Sequence, residues 1–266
     1  MQTDQIEFFH RWFREYVESF YSGDPEIDEA LRLKDRHSRH VAAHMGGIAR
    51  SLRRSEQDVR LAETVGLFHD LGRFPQWRQY GTFNDNKSID HGELSVETLR
   101  ATEVLASLPS KDRRVVEIAA RYHNKKRIPS RLSERHRLFT EMVRDADKID
   151  IWRQEISHFE KKGLERPILT RLLRGEFPAT ATFSSKMFDS VMSSEQPNLD
   201  EVRTHDDYVL FRLSWIYDIN FKTSAKTILE RNYVDRLLSR MPPTQDVRML
   251  KAHLTEHLRQ LGQCSC

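Results

Sequence analysis

Apolar residues recur at intervals of three and four along almost the whole chain, and this spacing limits the fold more than any other feature. Ile6, Phe9 and Phe13 begin the first such series. An α-helix brings residues three and four positions apart onto one face, so the spacing predicts amphipathic helices. No alternation of apolar and polar residues is long enough to predict a sheet. The sequence therefore predicts an all-α fold.

Capping residues and helix breakers divide this pattern into segments. Gly23 ends the first predicted helix, and Asp24-Pro25 starts the next one with a capping residue and a proline in the first turn. Ser55 is a candidate N-cap for the following helix. Residues 160–200 contain several glycines and prolines, and apolar helical spacing returns after them.

The helical spacing also breaks between Gly72 and Asp90, where Pro75 and Gly81 are loop signals. A connection of this length is uncommon inside a compact helical domain and is often functional. We therefore expect a loop that contacts a ligand or covers a site. Four aromatic residues would either line this loop or form a hydrophobic plug: Phe74, Trp77, Tyr80 and Phe83.

Composition excludes several classes of protein. Of 266 residues, 38% are hydrophobic and 31% are charged, as in a globular protein with a polar surface. Lys and Arg total 43 against 40 Asp and Glu, and a net charge of +3 is too small to indicate a nucleic-acid partner. No apolar run approaches the ~20 residues of a membrane span, and the N-terminus lacks signal-peptide features.

The cysteines and the absence of targeting signals indicate the class of protein further. The only cysteines, Cys264 and Cys266, lie at the C-terminal end, so a disulfide framework is excluded. We expect a cytoplasmic protein without membrane contact, and the pattern predicts no particular oligomeric state.

The clearest chemical signal is the adjacent pair His69-Asp70, which closes an apolar helical run. Neighbouring helical residues point about 100° apart, so two of them share a partner only when it lies close and accepts both. A metal ion does so, since imidazole nitrogen and carboxylate oxygen are ligands for divalent transition metals. Gly66 and Ala62 lie on the face of His69 and leave room for another helix, or for a metal held between helices.

Three more histidines fall in or beside apolar helical patterns: His37, His91 and His123. The predicted helix after residue 133 adds three acids, Asp145, Asp147 and Asp150. Periodicity does not choose among these acids, because Asp145 and Asp150 lie nearer the apolar stripe than Asp147 does. The spacing alone therefore leaves the acidic ligand open.

Taken together, these residues resemble the HD superfamily of metal-dependent phosphohydrolases, named for its His-Asp pair. The matching segments are His-Ser-Arg-His-Val at 37–41, Leu-Phe-His-Asp-Leu-Gly-Arg at 67–73 and Val-Arg-Asp-Ala-Asp-Lys-Ile-Asp at 143–150. The resemblance covers roughly residues 27–155 and implies an HD-domain-like helical bundle with additional C-terminal helices. We expect an HD-type metal-binding domain over 1–160, including the N-terminal helix, and a helical extension over 161–266 that packs on the same core.

The resemblance also implies a ligand set. Four residues match the family's minimal set for one divalent ion: His37, His69, Asp70 and Asp147. The resemblance thus favours Asp147 over Asp145. In members that hold two ions, two further histidines lie between the His-Asp pair and the last aspartate. His91 and His123 occupy such positions, and Asp70 would then bridge the two ions.

The chemistry of such a centre follows from its ligands. A divalent ion lowers the pKa of a bound water from about 16 towards neutrality and polarises a phosphoryl oxygen. Mixed imidazole and carboxylate ligation favours Mn, Fe, Ni or Co over Mg, and we expect one or two ions. The leading prediction is hydrolysis of a phosphate ester in a nucleotide or other small phosphorylated molecule. His91 or His123, where not a ligand, would protonate the leaving oxygen.

Basic residues near these ligands are candidates for substrate binding. Arg73 follows the His-Asp pair and would clamp a phosphate, while Lys125, Lys126 and Arg127 follow His123 and would add positive charge or form a solvated surface. Two other functions remain as alternatives. One is a di-iron oxygenase on the same scaffold, and the other is a non-catalytic module that binds nucleotide or RNA.

Overall fold

The computed structural model describes residues 3–162 and 182–263. They form α-helices and short 3-10 turns without any strand, so the predicted all-α fold is confirmed. The helices are α1 (Thr3–Glu18), α2 (Pro25–Ser51), α3 (Glu56–Phe68), α4 (Arg73–Tyr80), α5 (His91–Ala101), α6 (Ser110–Tyr122), α7 (Glu134–Lys162), α8 (Ser185–Met192), α9 (His205–Leu213), α10 (Lys222–Glu230), α11 (Tyr233–Leu238) and α12 (Gln245–Gln263). None of these described helices combines the length and apolarity needed to span a bilayer. Cys264, Cys266 and part of the stretch rich in glycine and proline lie outside the described residues.

The described chain divides into two compact units within α7. Residues 3–150 belong to the first unit, and residues 151–162 with 182–263 belong to the second. Every candidate ligand falls in the first unit. The boundary at residue 160, and the packing of the C-terminal extension on the same core, stay predictions.

In the first unit, α1 covers the His-Asp turn with aromatic side chains. The ring of Phe13 packs edge-on against Phe68 at the end of α3, with centroids 6.2 Å apart, and against Phe74 in α4, with centroids 5.9 Å apart. All three rings are buried, and such edge-to-face pairs add to the stabilisation from burial. Because Phe68 and Phe74 flank the turn on both sides, this packing fixes the backbone that carries His69 and Asp70.

Helices α2 and α3 pack closely at Gly66. A Cβ atom at this position would lie 2.6 Å from the Cα atom of Ala42 in α2, which is closer than real Cβ contacts come. Only glycine therefore allows this approach of the two backbones. The expectation that Gly66 makes room for a neighbouring helix is confirmed, and the contact brings His37 on α2 towards His69.

The loop predicted between residues 72 and 90 is wrong over its first half, where the chain forms α4. Pro75 is the third residue of α4, in the first turn, where a proline removes no intrahelical hydrogen bond. The helix ends at Gly81, which has a left-handed backbone with φ of 62°. A single 3-10 turn, Asp85–Lys87, interrupts the remaining connection to α5. Of the four aromatic residues of this connection, Phe74 and Phe83 are buried, as expected of a hydrophobic plug, whereas Tyr80 is exposed.

The second unit has a buried ion pair in its own core. Arg212 Nε and the hydroxyl of Tyr208 donate to Glu155 Oε1 at 2.8 and 2.7 Å. The indole of Trp152 donates to the Arg212 carbonyl at 3.2 Å. Because a buried ion pair with bonded partners organises packing, we assign this network a structural role: it anchors the end of α7 to α9.

Candidate metal centre

Five helices of the first unit bring the six sequence-predicted ligands together. His37 lies in α2, His69 and Asp70 follow α3, His91 begins α5, His123 follows α6, and Asp147 lies in α7. Five of the six side chains are buried, and that of Asp147 is 19% exposed. The ligands form two groups that share Asp70.

The first cluster consists of His37, His69, Asp70 and Asp147. His37 Nε2 lies 3.0 Å from Asp147 Oδ1 and 3.7 Å from Asp70 Oδ2. His69 Nε2 lies 3.7 Å from Asp70 Oδ2 and 3.8 Å from Asp147 Oδ1. Two donor atoms ~2.1 Å from one ion are separated by ~3.0 Å at right angles and ~3.4 Å in a tetrahedron. The 3.0 Å separation in the first cluster equals the right-angle value, and the other three exceed the tetrahedral value by about 0.3–0.4 Å.

The second cluster consists of Asp70, His91 and His123. The Nε2 atoms of His91 and His123 are 3.0 Å apart, and each lies 3.4 Å from Asp70 Oδ1. Asp70 therefore presents Oδ2 to the first cluster and Oδ1 to the second. This is the arrangement of a carboxylate that can bridge two ions.

The atoms that face these clusters fit a divalent ion. His69 Nε2 and Asp70 Oδ1 are buried and have no hydrogen-bond partner within the described residues. A buried polar atom without a partner costs free energy, so such an atom at a cluster of imidazoles and carboxylates indicates an ion. The donor set of nitrogen and oxygen suits a divalent transition metal.

The second ring nitrogen of each histidine is held by an acceptor. His37 Nδ1 contacts Asp150 Oδ2 at 2.7 Å, and His91 Nδ1 contacts Asp85 Oδ2 at 2.5 Å. The other two histidines bond to the carbonyl three residues earlier: His69 Nδ1 donates to Gly66 at 2.8 Å and His123 Nδ1 to Ala120 at 2.7 Å. Carbonyls and ionised carboxylates only accept, so each Nδ1 carries a proton and each Nε2 faces a cluster. Metal-ligating histidines are held in this way.

A comparison with known families agrees with this geometry. The family model of the HD domain matches residues 35–173, which is more than half of the chain and spans all six ligands. The chain belongs to the HD superfamily. No curated protein and no solved structure matches the chain significantly.

The three acids of α7 lie differently relative to the first cluster of the HD domain. Asp147 Oδ1 faces Nε2 of both histidines of the first cluster, at 3.0 Å from His37. Asp150 instead bonds to His37 Nδ1, behind the imidazole, and Asp145 is buried. The geometry therefore places Asp147 as the ligand candidate and Asp150 as the residue that orients His37.

Charges around the HD centre shift the pKa values of its ligands. Burial and Lys34 lower the pKa of His37, but hydrogen bonds to Asp147 and Asp150 outweigh them and raise it to about 9. Burial and Arg73 lower the pKa of His91 to about 4, although Asp85 opposes them. Without a metal, His37 therefore holds an extra proton near neutral pH and His91 does not.

The acids of the centre stay ionised. Burial alone would raise the pKa of Asp70, but Lys34 and His69 hold it well below its usual range. The pKa of Asp147 is likewise held low against burial by the neighbouring imidazoles of His37 and His69. Both carboxylates are therefore charged and available as ligands.

Arg73, the predicted phosphate clamp, bonds to protein groups through one of its nitrogens, and its buried Nε has no hydrogen-bond partner within the described residues. Its Nη1 donates to Gln76 Oε1 and the Phe83 carbonyl at 2.7 Å, and to Asp85 Oδ1 at 2.9 Å. Its Nε lies 3.6 Å from Asp70 Oδ1. In this arrangement Arg73 fixes the segment that carries Asp85, which in turn holds His91.

The basic residues after His123 are distributed over the surface. Lys125 forms an ion pair with Asp90, and its backbone carbonyl accepts a hydrogen bond from Arg144. Lys126 and Arg127 are exposed at the same bend. Neither Lys125 nor Arg127 touches the ligand clusters in the contacts that the described residues make.

Three residues beside the centre were missed by sequence reasoning: Lys34, Asp85 and Asp150. Lys34 precedes His37 by three positions on one helical face, a spacing that could have drawn attention to it. Spacing offers Asp150 only as a ligand candidate and does not indicate that it bonds to His37. Asp85 lies in the connection before α5, where helical periodicity carries no information.

Proposed function

We propose that this HD protein hydrolyses a phosphate ester of a nucleotide or another small phosphorylated metabolite. One observation carries the proposal: Asp70 presents one oxygen to each of two ligand clusters. Two adjacent divalent ions can stabilise both the attacking and the leaving oxygen of a phosphoryl group. Bound there, the ions would also supply a water whose pKa is lowered towards neutrality.

The residues of the chain hold and orient this centre. His37, His69 and Asp147 would complete the first position, and His91 with His123 the second. The carboxylates of Asp70 and Asp147 are ionised, so they offset the charge of the ions without losing a proton on binding.

For His91 and His123, the arrangement favours ligation over acid catalysis. A general acid must be protonated near the working pH, whereas the pKa of His91 is lowered to about 4 by burial and by Arg73. The two Nε2 atoms also lie 3.0 Å apart, and each lies 3.4 Å from Asp70 Oδ1. We therefore assign both histidines to the second metal position.

Elemental analysis and an activity screen test this proposal together. Purified protein is expected to contain a divalent transition metal and, after reloading with Mn, Fe, Co, Ni or Mg, to release phosphate or an alcohol from a panel of phosphorylated metabolites. Asp70→Ala should lose both the metal and turnover. Asp35→Ala is the matched control, because Asp35 is a partly exposed acid of α2 that pairs with Arg39.

The result that refutes the proposal is equally concrete. An Asp70→Ala protein with full turnover would show that neither cluster supports the reaction. Turnover of no phosphate ester by fully loaded wild-type protein would also refute it.

A di-iron oxygenase is the second candidate, because two clusters that share a carboxylate also suit two irons. Metal content and O₂ consumption discriminate between the two reactions. Two tightly held irons, with O₂ consumed and no phosphate ester cleaved, would favour the oxygenase.

A further inference from the structure

Lys34 places a buried positive charge at the metal centre. Its Nζ donates to Asp70 Oδ2 at 2.8 Å, and its side chain is only 8% exposed. The ammonium also lies 5.5 Å from the centroid of the Phe83 ring, which is buried. A lysine is rarely buried to this extent unless it is paired with an opposite charge, and here Asp70 supplies that charge.

The ammonium has donors to spare. A protonated lysine carries three N–H groups, and among the described residues only Asp70 accepts a hydrogen bond from Lys34. The ring of Phe83 attracts the charge but satisfies no strongly directional donor. Two donors of a nearly buried cation are therefore left beside the oxygen that serves the first cluster.

Two other cations near the centre bond to protein groups. Arg73 directs Nη1 at Gln76, at Asp85 and at a backbone carbonyl. Arg144 donates to three backbone carbonyls at the end of α6. Arg73 Nε lies 3.6 Å from Asp70 Oδ1 but forms no hydrogen bond within the described residues. Of these three buried cations, Lys34 is the one that donates a hydrogen bond to a metal-ligand carboxylate and keeps further donors beside it.

A phosphoryl group brings the complementary chemistry. Its non-bridging oxygens carry negative charge and accept hydrogen bonds, and an ammonium binds them as a compact point charge. A group bound at the ions beside Asp70 would bring these oxygens to the spare donors of Lys34.

We propose that Lys34 is a catalytic residue that binds a non-bridging oxygen of the substrate's phosphoryl group while Asp70 Oδ2 holds its ammonium in place. This inference rests on the proposed phosphohydrolase function. It assigns to Lys34 the role that the sequence suggested for Arg73.

The test separates metal binding from phosphate binding. Metal-free wild-type protein and Lys34→Met are titrated with Mn²⁺ by calorimetry, and the loaded proteins are then titrated with inorganic phosphate. Lys34→Met should keep both metal equivalents, with first-cluster affinity unchanged or tighter because a cation that competes for Asp70 has been removed. Phosphate affinity and kcat/KM should each fall about 10- to 100-fold, the size expected for a hydrogen bond between charged groups.

Two further variants keep the result interpretable. Lys111→Met removes an exposed lysine at the start of α6 in the same unit and should change neither affinity. Where Lys34→Met does not fold, Lys34→Ala with added ethylammonium replaces it, and the added cation should restore part of the phosphate affinity.

Each outcome supports or overturns a specific statement. If Lys34 only neutralised Asp70, its loss would change metal affinity and melting temperature but leave phosphate affinity at saturating metal intact, which would overturn the assignment. Hydrolysis by wild type with equal kcat/KM in Lys34→Met would overturn it too, while the proposed function stands. A wild-type protein that holds two ions but neither binds phosphate nor cleaves its esters would overturn both.

Discussion

Replacing Asp85 with asparagine should weaken the second metal position and leave the first one intact. Both oxygens of Asp85 accept from donors. Oδ1 accepts from Arg73 and from Gln76, each at 2.9 Å, and Oδ2 accepts from His91 Nδ1 at 2.5 Å. An asparagine amide has only one acceptor oxygen, so its NH₂ group must face a donor on one side.

The orientation that the asparagine amide prefers determines how much metal affinity is lost. An amide oxygen turned towards Arg73 satisfies the charged donor and points the NH₂ group at His91 Nδ1. That contact favours the tautomer with the proton on Nε2, which cannot bind a metal. Loss of a carboxylate behind a ligating histidine typically costs about 10- to 100-fold in metal affinity, which is about 1.4–2.7 kcal/mol. Because Asp85→Asn forces a change of tautomer, we expect its loss of metal affinity to lie near the upper end of this range.

Asp150→Asn is the matched variant for the first cluster. Asp150 Oδ2 contacts His37 Nδ1 at 2.7 Å, and Oδ1 lies 3.4 Å from Nδ1 of the half-exposed His40. An asparagine there can turn its oxygen to His37 and its NH₂ group to His40. Asp150→Asn should therefore weaken the first position towards the lower end of the same range.

Calorimetric titration of metal-free protein with Mn²⁺ measures both effects. Wild type is expected to bind two equivalents, and each variant should keep one equivalent at wild-type affinity. Thermal melting of the metal-free proteins checks that both variants fold. Two equivalents at wild-type affinity in Asp85→Asn would refute the reasoning from the amide donors.

Two other predictions concern protons and helix packing. Because the pKa of His37 is raised from 6.5 to about 9, a metal at the first cluster must displace its proton, and affinity there should rise about tenfold per pH unit up to about 9. The stability that this raised pKa gives the metal-free protein is present below pH 6.5 and is lost as pH rises through 9. Calorimetry across this pH range measures the metal affinity, and thermal melting measures the stability. A metal affinity of the first cluster that does not change with pH would contradict the raised pKa of His37. Gly66→Ala, whose Cβ would lie 2.6 Å from the Ala42 backbone, should lower the free energy of unfolding by about 1–3 kcal/mol in urea titrations and weaken first-cluster binding. Gly47→Ala, with open space at its Cβ, should be neutral or slightly stabilising, and equal effects of the two substitutions would exclude the packing argument.

The helices and their buried faces could be predicted because apolar spacing reports burial directly. His37 shares a stripe with Val41 and Met45, and all three side chains are buried. Ser55 accepts a hydrogen bond from Asp58 N as the predicted cap of α3. Such signals are local, so one sequence is enough to carry them.

Periodicity failed at Asp147 for a physical reason. The pattern ranks residues by burial, and Asp150 is fully buried in the ion pair behind His37. Asp147 is 19% exposed, as suits a ligand at a centre that a substrate must reach. The better-placed ligand candidate is therefore the less buried acid, and only the family resemblance favoured it.

The spacing of residues along the sequence does not predict which distant side chains contact each other. Lys34 meets Asp70 across 36 positions, and Asp150 meets His37 across 113. Asp85 lies only six positions from His91, but in a connection without periodicity. Pro75 led to the wrong prediction of a loop in that connection, because a proline in the first turn of a helix resembles a loop signal.

The centre combines local and long-range control in each cluster. One histidine of each cluster, His69 or His123, follows a helix and bonds to the carbonyl three residues earlier, so its tautomer is set by the local backbone. The other, His37 or His91, depends on a carboxylate supplied by another element. Local bonds persist as long as the helix does, whereas the carboxylates can be removed singly. Each proposed metal position therefore depends on a different carboxylate, so each of the two asparagine variants should weaken one position and leave the other intact.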